Sequence, residues 1–451
     1  MASNIPPMFG HQKGDVEFEL DHPVVFDMSD PGTGKTRTRL EVIAKRRSRG
    51  GKCVMVFAPK TLMRRAWEAD CRRFTPWLTT SCAFAETRAK DFARSADIYV
   101  TNHDATKWVA QQPSSFFDRF DSLVIDESSA FKHHTSDRSR AMNKVKKHFA
   151  NRVLMSGTPN TNAVTDVWNQ AFVLDDGKRL GTSFYHFRNQ VQIPQQVGRQ
   201  PNMVKWSDRP GAEEAVASLL ADITIRHVFE DCHDIPENHS YVVPFDLTPR
   251  HLAQYDEMAD HAVLTVKDGK VSAINAAAVV TKLLQIASGA VYEDADTYHV
   301  VDRSRYELVG ELADQRKHSV VFFLWRHQKD LLIEEFNKRG ITHVVIDGSV
   351  TPKKRDEAVQ MFQSGFYRVL LAHPASAAHG LTLTRGTSTI WASPTYNLEH
   401  WLQGNRRIYR AGQTQKTETV NIVAEGTIEE KVYAVLSTKN ARMTNLLELL
   451  Q

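Results

Sequence analysis

Short apolar runs alternate along this chain with stretches whose apolar positions recur every three or four residues. In the first half the runs are Val24–Phe26, Cys53–Ala58, Asp97–Thr101, Ser122–Asp126 and Arg152–Ser156. In the second half they are Ser319–Trp325, His343–Asp347, Arg368–Ala372, Ser388–Ala392 and Thr417–Val423. Near-continuous apolar character over so few residues is the mark of a strand covered on both faces. The segments between carry helical spacing: Thr36–Arg47, Leu62–Phe74, Gln328–Lys338, Pro352–Phe362 and Asn397–Gln403. Strand and helix in alternation predict parallel sheets with right-handed crossovers. The pattern occurs twice, so two α/β lobes are expected, with the boundary in Asp231–Asn238 around Ile235-Pro236. Residues 195–211, rich in Gln, Pro and Gly, read as a surface loop. Thr427–Gln451 reads as one or two helices after the last strand.

Composition narrows this picture only slightly. A chain of 451 residues with 41% hydrophobic residues has material for two or three ordinary cores. No run approaches the ~20 apolar residues of a membrane span. The N-terminal residues Met1–Pro7 have neither the basic nor the apolar region of an export signal, so a cytoplasmic protein, or one in the host cytoplasm if phage-encoded, is expected. Cys53, Cys71, Cys82 and Cys232 form no CxxC pair and read as reduced thiols. His133 and His134 lack companion ligands at helical spacing and read as loop residues. A net charge of +4 permits nucleic-acid binding without requiring it. Basic clusters at Lys45–Arg49, Arg64-Arg65, Lys144–Lys147 and Lys353–Arg355 are either phosphate contacts or solvated helix faces.

The chemistry begins at GTGKT, residues 32–36, which lies between the Val24–Phe26 run and a helical segment. A glycine-rich turn entering a helix directs backbone N–H groups at an anion, and the helix N-terminus adds positive potential. Gly32, Thr33 and Gly34 would form the turn. Lys35 would reach β- and γ-phosphates, and Thr36 would ligate magnesium. Ser29 stands where the strict P-loop pattern has its first glycine, so a chance glycine turn is the alternative. Asp126 and Glu127 directly follow an apolar run, where carboxylates project into the crevice of an open α/β sheet. Asp126 would hold magnesium, and Glu127 would orient or deprotonate an attacking water. The alternative is an acidic pair capping the next helix.

Further motifs carry a resemblance that covers nearly the whole chain. Phe9-Gly10-His11-Gln12 resembles the Q motif of superfamily-two helicases. Ala58–Leu62 with Trp67 and Glu68 resembles motif Ia, and Thr101–Asp104 stands where motif Ib belongs. DESSAFKHHTSDRSRA resembles the motif II neighbourhood, with Ser129 in place of the DEAH histidine. SGTPNTNAVTDVW (156–168), IDGSVTPKKRDEAVQMF (346–362), AHGLTL (378–383), QGNRRIYRAGQ (403–413) and GTIEEKVY (426–433) complete the series. Taken in order, it is similar to the Swi/Snf-related branch, in the compact form found in phage and bacterial genomes.

The resemblance implies two tandem RecA-like lobes, an ATP-binding lobe at residues 1–235 and a helicase lobe with closing helices at 236–451. It implies ATP and Mg²⁺ as cofactors. Gln12 would read adenine through its amide, and Gly380 would line the nucleotide site. Ser156, Thr158 and Gln403 would couple the lobes. Lys60, Thr61, Thr101, Asn102, Gly348, Ser349 and Pro374 would touch the nucleic-acid backbone. The first lobe offers no second cation for a γ-phosphoryl group. Arg407 and Arg410, three apart, share a face if 397–410 is helical, and would serve as arginine fingers. Arg406 stands where the family usually has an acid. The implied activity is ATP-driven translocation of a monomer along duplex or branched DNA. Strand separation of DNA or RNA, and an ATP-gated DNA-binding subunit that takes its target from a protein partner, are the alternatives.

Overall fold

The computed structural model describes residues 5–198, 203–267, 273–294, 297–377 and 381–450. The chain divides into two compact units, Met1–Asp234 together with Lys439–Gln451, and Ile235–Thr438. Each is built on a parallel sheet flanked by helices, the two α/β lobes that the alternation predicts and the tandem RecA-like arrangement that the resemblance implies.

In the first unit the strands of the main sheet are β1 (Val24–Asp27), β2 (Cys53–Ala58), β3 (Thr80–Ala83), β4 (Ile98–Asn102), β5 (Phe120–Asp126) and β6 (Asn151–Met155). A two-stranded hairpin follows, β7 (Gln192–Gln196) and β8 (Val204–Asp208), and then the short β9 (Thr224–Ile225). The order across the sheet is β3-β4-β2-β5-β6-β1-β9, all parallel. Val25, Val54, Val56, Ile98, Val100, Val124 and Val153 form its buried core with Leu40, Ile43, Met63 and Trp67 from the helices. Each such side chain contributes about 1.5–3 kcal/mol on burial. Helix α1 (Gly10–Asp21) precedes β1, and α2 (Lys35–Ser48) follows it.

The second unit holds β10 (Asn238–Phe245), a small antiparallel pair β11 (Ala290–Tyr292) and β12 (Tyr298–Val300), and then β13 (Ser319–Phe322), β14 (His343–Ile346), β15 (Val369–Ala372), β16 (Ser388–Trp391) and β17 (Thr417–Ala424). The main sheet runs β10-β17-β16-β13-β15-β14. Val321, Leu371, Ile390, Val420 and Ile422 from the strands pack with Leu332 and Phe336 from the helix Arg326–Lys338.

Several expectations need correction. Within 195–211, expected as a loop, Gln195 and Gln196 end β7 and Val204–Asp208 form β8, with Arg188 lying 3.8 Å over the Trp206 ring. The expected boundary segment does hold the division between the units, at Asp234/Ile235, and the chain then enters β10, an edge strand. Its Pro244 is tolerated there because one side of an edge strand needs no ladder partner. The helix expected over Leu62–Phe74 opens as a π-helical turn at Met63–Glu68 before Ala69–Phe74 becomes α-helical. The helix expected to carry Arg407 and Arg410 spans Leu398–Asn405 and stops short of both. The tail, expected as one or two helices, is as expected helical, a single helix over Ile428–Glu448.

Candidate active site

The site in the first unit is built at the C-terminal ends of three neighbouring strands, β1, β6 and β5. After β1 the chain makes the phosphate-loop turn. Gly32 and Gly34 have φ of +97° and +86°, a region that residues with a Cβ rarely adopt. Lys35 opens α2, and its Nζ donates to the carbonyls of Ser29 (2.6 Å) and Asp30 (2.9 Å), which places the ammonium inside the loop. Thr36 lies half-buried in the first turn of α2. The Thr33 hydroxyl closes the loop on Asp30 O at 2.9 Å. Asp27 ties the loop to its strand by accepting from Ser29 N at 3.0 Å.

Asp126 ends β5 and is buried. The indole of Trp67, carried on the π-helical turn, donates to its Oδ2 at 3.0 Å. His103 binds its backbone carbonyl at 2.8 Å, so the imidazole Nε2 carries a proton. Burial pushes the Asp126 carboxyl above the ordinary range. The Trp67 bond and the Lys35 ammonium pull it back, and Asp27 adds to the rise. A divalent cation would relieve this buried charge. Among the described residues no cluster of three or more His, Cys, Asp or Glu forms a metal cage. Asp126 and Thr36 suit magnesium, which keeps waters and phosphate oxygens as most of its ligands. Glu127 follows in the left-handed conformation, φ +53° and ψ +60°. That costs about 1–2 kcal/mol for a residue with a Cβ.

Beyond β6, Ser156 N donates to Asp27 O at 3.0 Å, and the Ser156 hydroxyl accepts from Thr158 N at 3.1 Å. Gly157 presses against the loop: a Cβ there would stand 2.7 Å from Pro31 Cδ. The buried Thr158 hydroxyl has no hydrogen-bond partner among the described residues. Thus Ser156–Thr158 is packed against the phosphate loop, with the serine occupied in the turn itself.

In the second unit Arg407 and Arg410 meet without a shared helix. Arg407 donates to Gln403 O (2.6 Å) and Leu381 O (3.2 Å), and Arg410 donates to Leu381 O (2.9 Å). Gly380 lies outside the described residues. Gln403 is buried, and its amide nitrogen is 3.4 Å from Glu399 Oε1.

Other expected residues are placed differently. Gln12 is buried, with its oxygen accepting from Phe9 N (2.9 Å) and its nitrogen donating to Gly34 O (3.0 Å). Each amide atom thus has one of its two hydrogen-bonding positions occupied, and the side chain is buried. Thr101 is fully buried and gives its hydroxyl to Ala83 O, while Pro374 is buried at the start of a short helix. Neither side chain is available to a phosphate backbone. Asn102 is half-buried and bonds Arg88 at 3.0 Å. Thr61 is half-buried, and its hydroxyl has no partner among the described residues. Lys60, Gly348 and Ser349 are exposed. Within the basic clusters, Lys146 is buried against Asp176 at 3.0 Å and is structural.

Sequence reading gave no role to Trp67 on Asp126, His103 behind it, or Arg226. The last donates to Asp30 Oδ1 at 2.6 Å and to Met28 O at 3.0 Å. Only the motif Ia neighbourhood pointed toward Trp67. His103 lay within the segment standing where motif Ib belongs, and no local signal marked Arg226.

Two family models match this chain. The SNF2-related domain matches residues 27–289, and the helicase conserved C-terminal domain matches 304–412. The chain belongs to the SNF2-related family and is a nucleic-acid-dependent ATPase of helicase type. It is 25% identical over 442 residues to protein p41 of Acyrthosiphon pisum secondary endosymbiont phage 1, covering 92% of this chain and 93% of that one. It is 22% identical to an uncharacterized ATP-dependent helicase of Mycoplasma genitalium (85% and 36% covered). It is 26% identical to the DNA repair and recombination protein RAD26 of Saccharomyces cerevisiae (69% and 30% covered). The chain thus spans nearly all of the phage relative but about a third of the other two. Among the described residues no helix is long and apolar enough to cross a membrane.

Proposed function

We propose that this protein is a DNA-stimulated translocase that hydrolyses ATP with Mg²⁺ and advances along duplex or branched DNA by contacts to one strand's backbone. The observation that carries the reading is the juxtaposition of the Lys35 loop, the Ser156–Thr158 turn and the Asp126-Glu127 pair at adjacent strand ends. Lys35 exchanges its carbonyl partners for phosphate oxygens. Asp126 and Thr36 hold magnesium, which screens the charge of the phosphates. Glu127 orients the attacking water and takes its proton. Arg410, with Arg407 beside it, supplies the second cation. Lys35 and Arg410 belong to different units, so hydrolysis requires both units to engage one nucleotide, and turnover becomes tied to conformational change. The relative named for DNA repair and recombination supports DNA as the track. Exposed Lys60, Gly348 and Ser349 are the proposed backbone contacts.

The test is ATPase rate against duplex DNA, single-stranded DNA, forked DNA and RNA, with triplex displacement and unwinding measured in parallel. Duplex should stimulate with little sequence preference, triplex should be displaced, and the stimulating affinity should fall steeply with salt through counterion release. Stimulation by RNA or single strands alone, with unwinding, would replace translocation by strand separation.

A further inference from the structure

Three consecutive carbonyls of the phosphate loop are each held by a side chain from outside it. His233 Nε2 lies 2.9 Å from Gly32 O, His11 Nε2 lies 2.8 Å from Thr33 O, and Gln12 Nε2 lies 3.0 Å from Gly34 O. Because the partners are carbonyls, both imidazoles must carry a proton on Nε2. His11 and Gln12 come from α1, and His233 comes from the segment after β9. That segment runs along the loop as a strap. Asp30 N donates to His227 O (3.0 Å), His227 N donates to Ser29 Oγ (3.1 Å), and the Phe229 ring covers Gly32 so closely that a Cβ there would stand 2.8 Å away. His227 Nε2 is 2.7 Å from Asp15 Oδ1, which pins the strap to α1.

In a planar trans peptide the carbonyl and the following N–H point to opposite sides. Fixing the carbonyls of Gly32, Thr33 and Gly34 therefore fixes the N–H groups of Thr33, Gly34 and Lys35. Thr33 N is spent within the loop on Asp30 O (3.4 Å). The other two are the donors that a phosphate nest uses. We propose that His11 and His233 are positioning residues of the nucleotide site, which preset the loop's N–H groups for the β-phosphate. This rests on the assignment of residues 32–36 as a phosphate loop. The chain leaves the strap for the second unit at Ile235, two residues past His233, so the same bond joins the loop to the interdomain connection.

The test uses the full chain with His11→Phe and His233→Phe, which keep an aromatic ring and remove the donor, and His11→Gln and His233→Gln, whose amide nitrogen restores one. ADP and AMP binding are measured by calorimetry, and KM and kcat for ATP by steady-state assay. Each Phe variant should weaken ADP about 2- to 12-fold, the worth of one hydrogen bond. AMP, which lacks the β-phosphate, should change less, and the ATP penalty should fall mainly on KM. The Gln variants should return ADP affinity to within about 2-fold of wild type. Equal losses for AMP and ADP, no loss in either Phe variant, or failure of both Gln variants to restore binding would overturn the proposal. The two histidines are tested separately, so a misfolded variant at one leaves the other decisive. A wild-type chain that binds no ADP would instead remove the phosphate-loop assignment itself.

Discussion

Replacing Arg39 by Met should unsettle the first unit from within. Arg39 lies on α2, one turn past Lys35, and is fully buried with Glu19 of α1 and Asp27 of β1. Its guanidinium stands 2.8 Å from Glu19 Oε2 and 3.4 Å from Asp27 Oδ2. The side chains of Glu19 and Asp27 are 2% and 1% exposed, so water cannot replace the lost cation. Breaking one partner of such a buried set costs about 3–5 kcal/mol. That lowers hydrogen-exchange protection by roughly 10²- to 10³-fold or slightly more. The assay is native-state exchange read on peptides from β1 and α2, with β13 and β15 of the second unit as the internal reference. None of Arg39's nitrogens makes an aligned hydrogen bond, so the triad is poorly compensated. The double variant Arg39→Met, Glu19→Leu should therefore recover much of the loss. The pH dependence has a definite sign. Burial raises the Glu19 carboxyl above 4.5, Arg39 and Arg46 lower it, and Asp27 and Asp15 raise it. A carboxyl raised in the fold favours the protonated state there, so stability is lost as pH climbs above 4.5 through the folded value. Removing Arg39 lifts that value further. The excess cost should be small near pH 4.5 and grow toward neutrality. A cost below about 1 kcal/mol at pH 7, or a double variant worse than the single, would refute the reasoning.

Lys35→Ala should abolish nearly all ATP turnover with β1 and α2 protection intact; a folded variant with wild-type rates would remove the phosphate-loop assignment. Glu127→Gln should keep ATP affinity while hydrolysis falls, trapping a complex on DNA, and a joint collapse of both quantities would make Glu127 structural. Arg410→Ala should leave nucleotide binding largely unchanged and lower kcat about 10²-fold or more, as for a lost arginine finger; retained DNA-stimulated turnover would place the catalytic cation elsewhere.

The central strands were legible because each is covered on both faces and so reads as an unbroken apolar run. β2, β5 and β13 fall within two or three residues of their expected bounds. β10 and the β7–β8 hairpin carried no such signal. Tyr241 and Val242 of β10 are about 40% exposed, and an edge strand with one wet face looks like a boundary loop. In the site, Asp126 and Glu127 could be placed because they close an apolar run, and Lys35 because a glycine turn enters a helix there. The strap could not. His11 meets Thr33 across 22 residues and His233 meets Gly32 across 201, and no local periodicity encodes such contacts. Gln12 shows the converse: the motif named the residue, but packing decided that its amide bonds Phe9 N and Gly34 O.

The helix Ile428–Glu448 begins in the second unit and finishes in the first, where Lys439 donates to Asn162 Oδ1 at 3.1 Å. Residues 439–450 therefore complete a body whose other part ends at Asp234. During synthesis the ribosome must read through the roughly 200 residues of the second unit before supplying them. At about 5–20 residues per second that interval lasts about 10–40 s. The ATP-binding unit would spend it unfinished, with Asn162, just past the Ser156–Thr158 turn, lacking its lysine. A nick at Asp234/Ile235 would likewise leave each fragment holding part of the same unit.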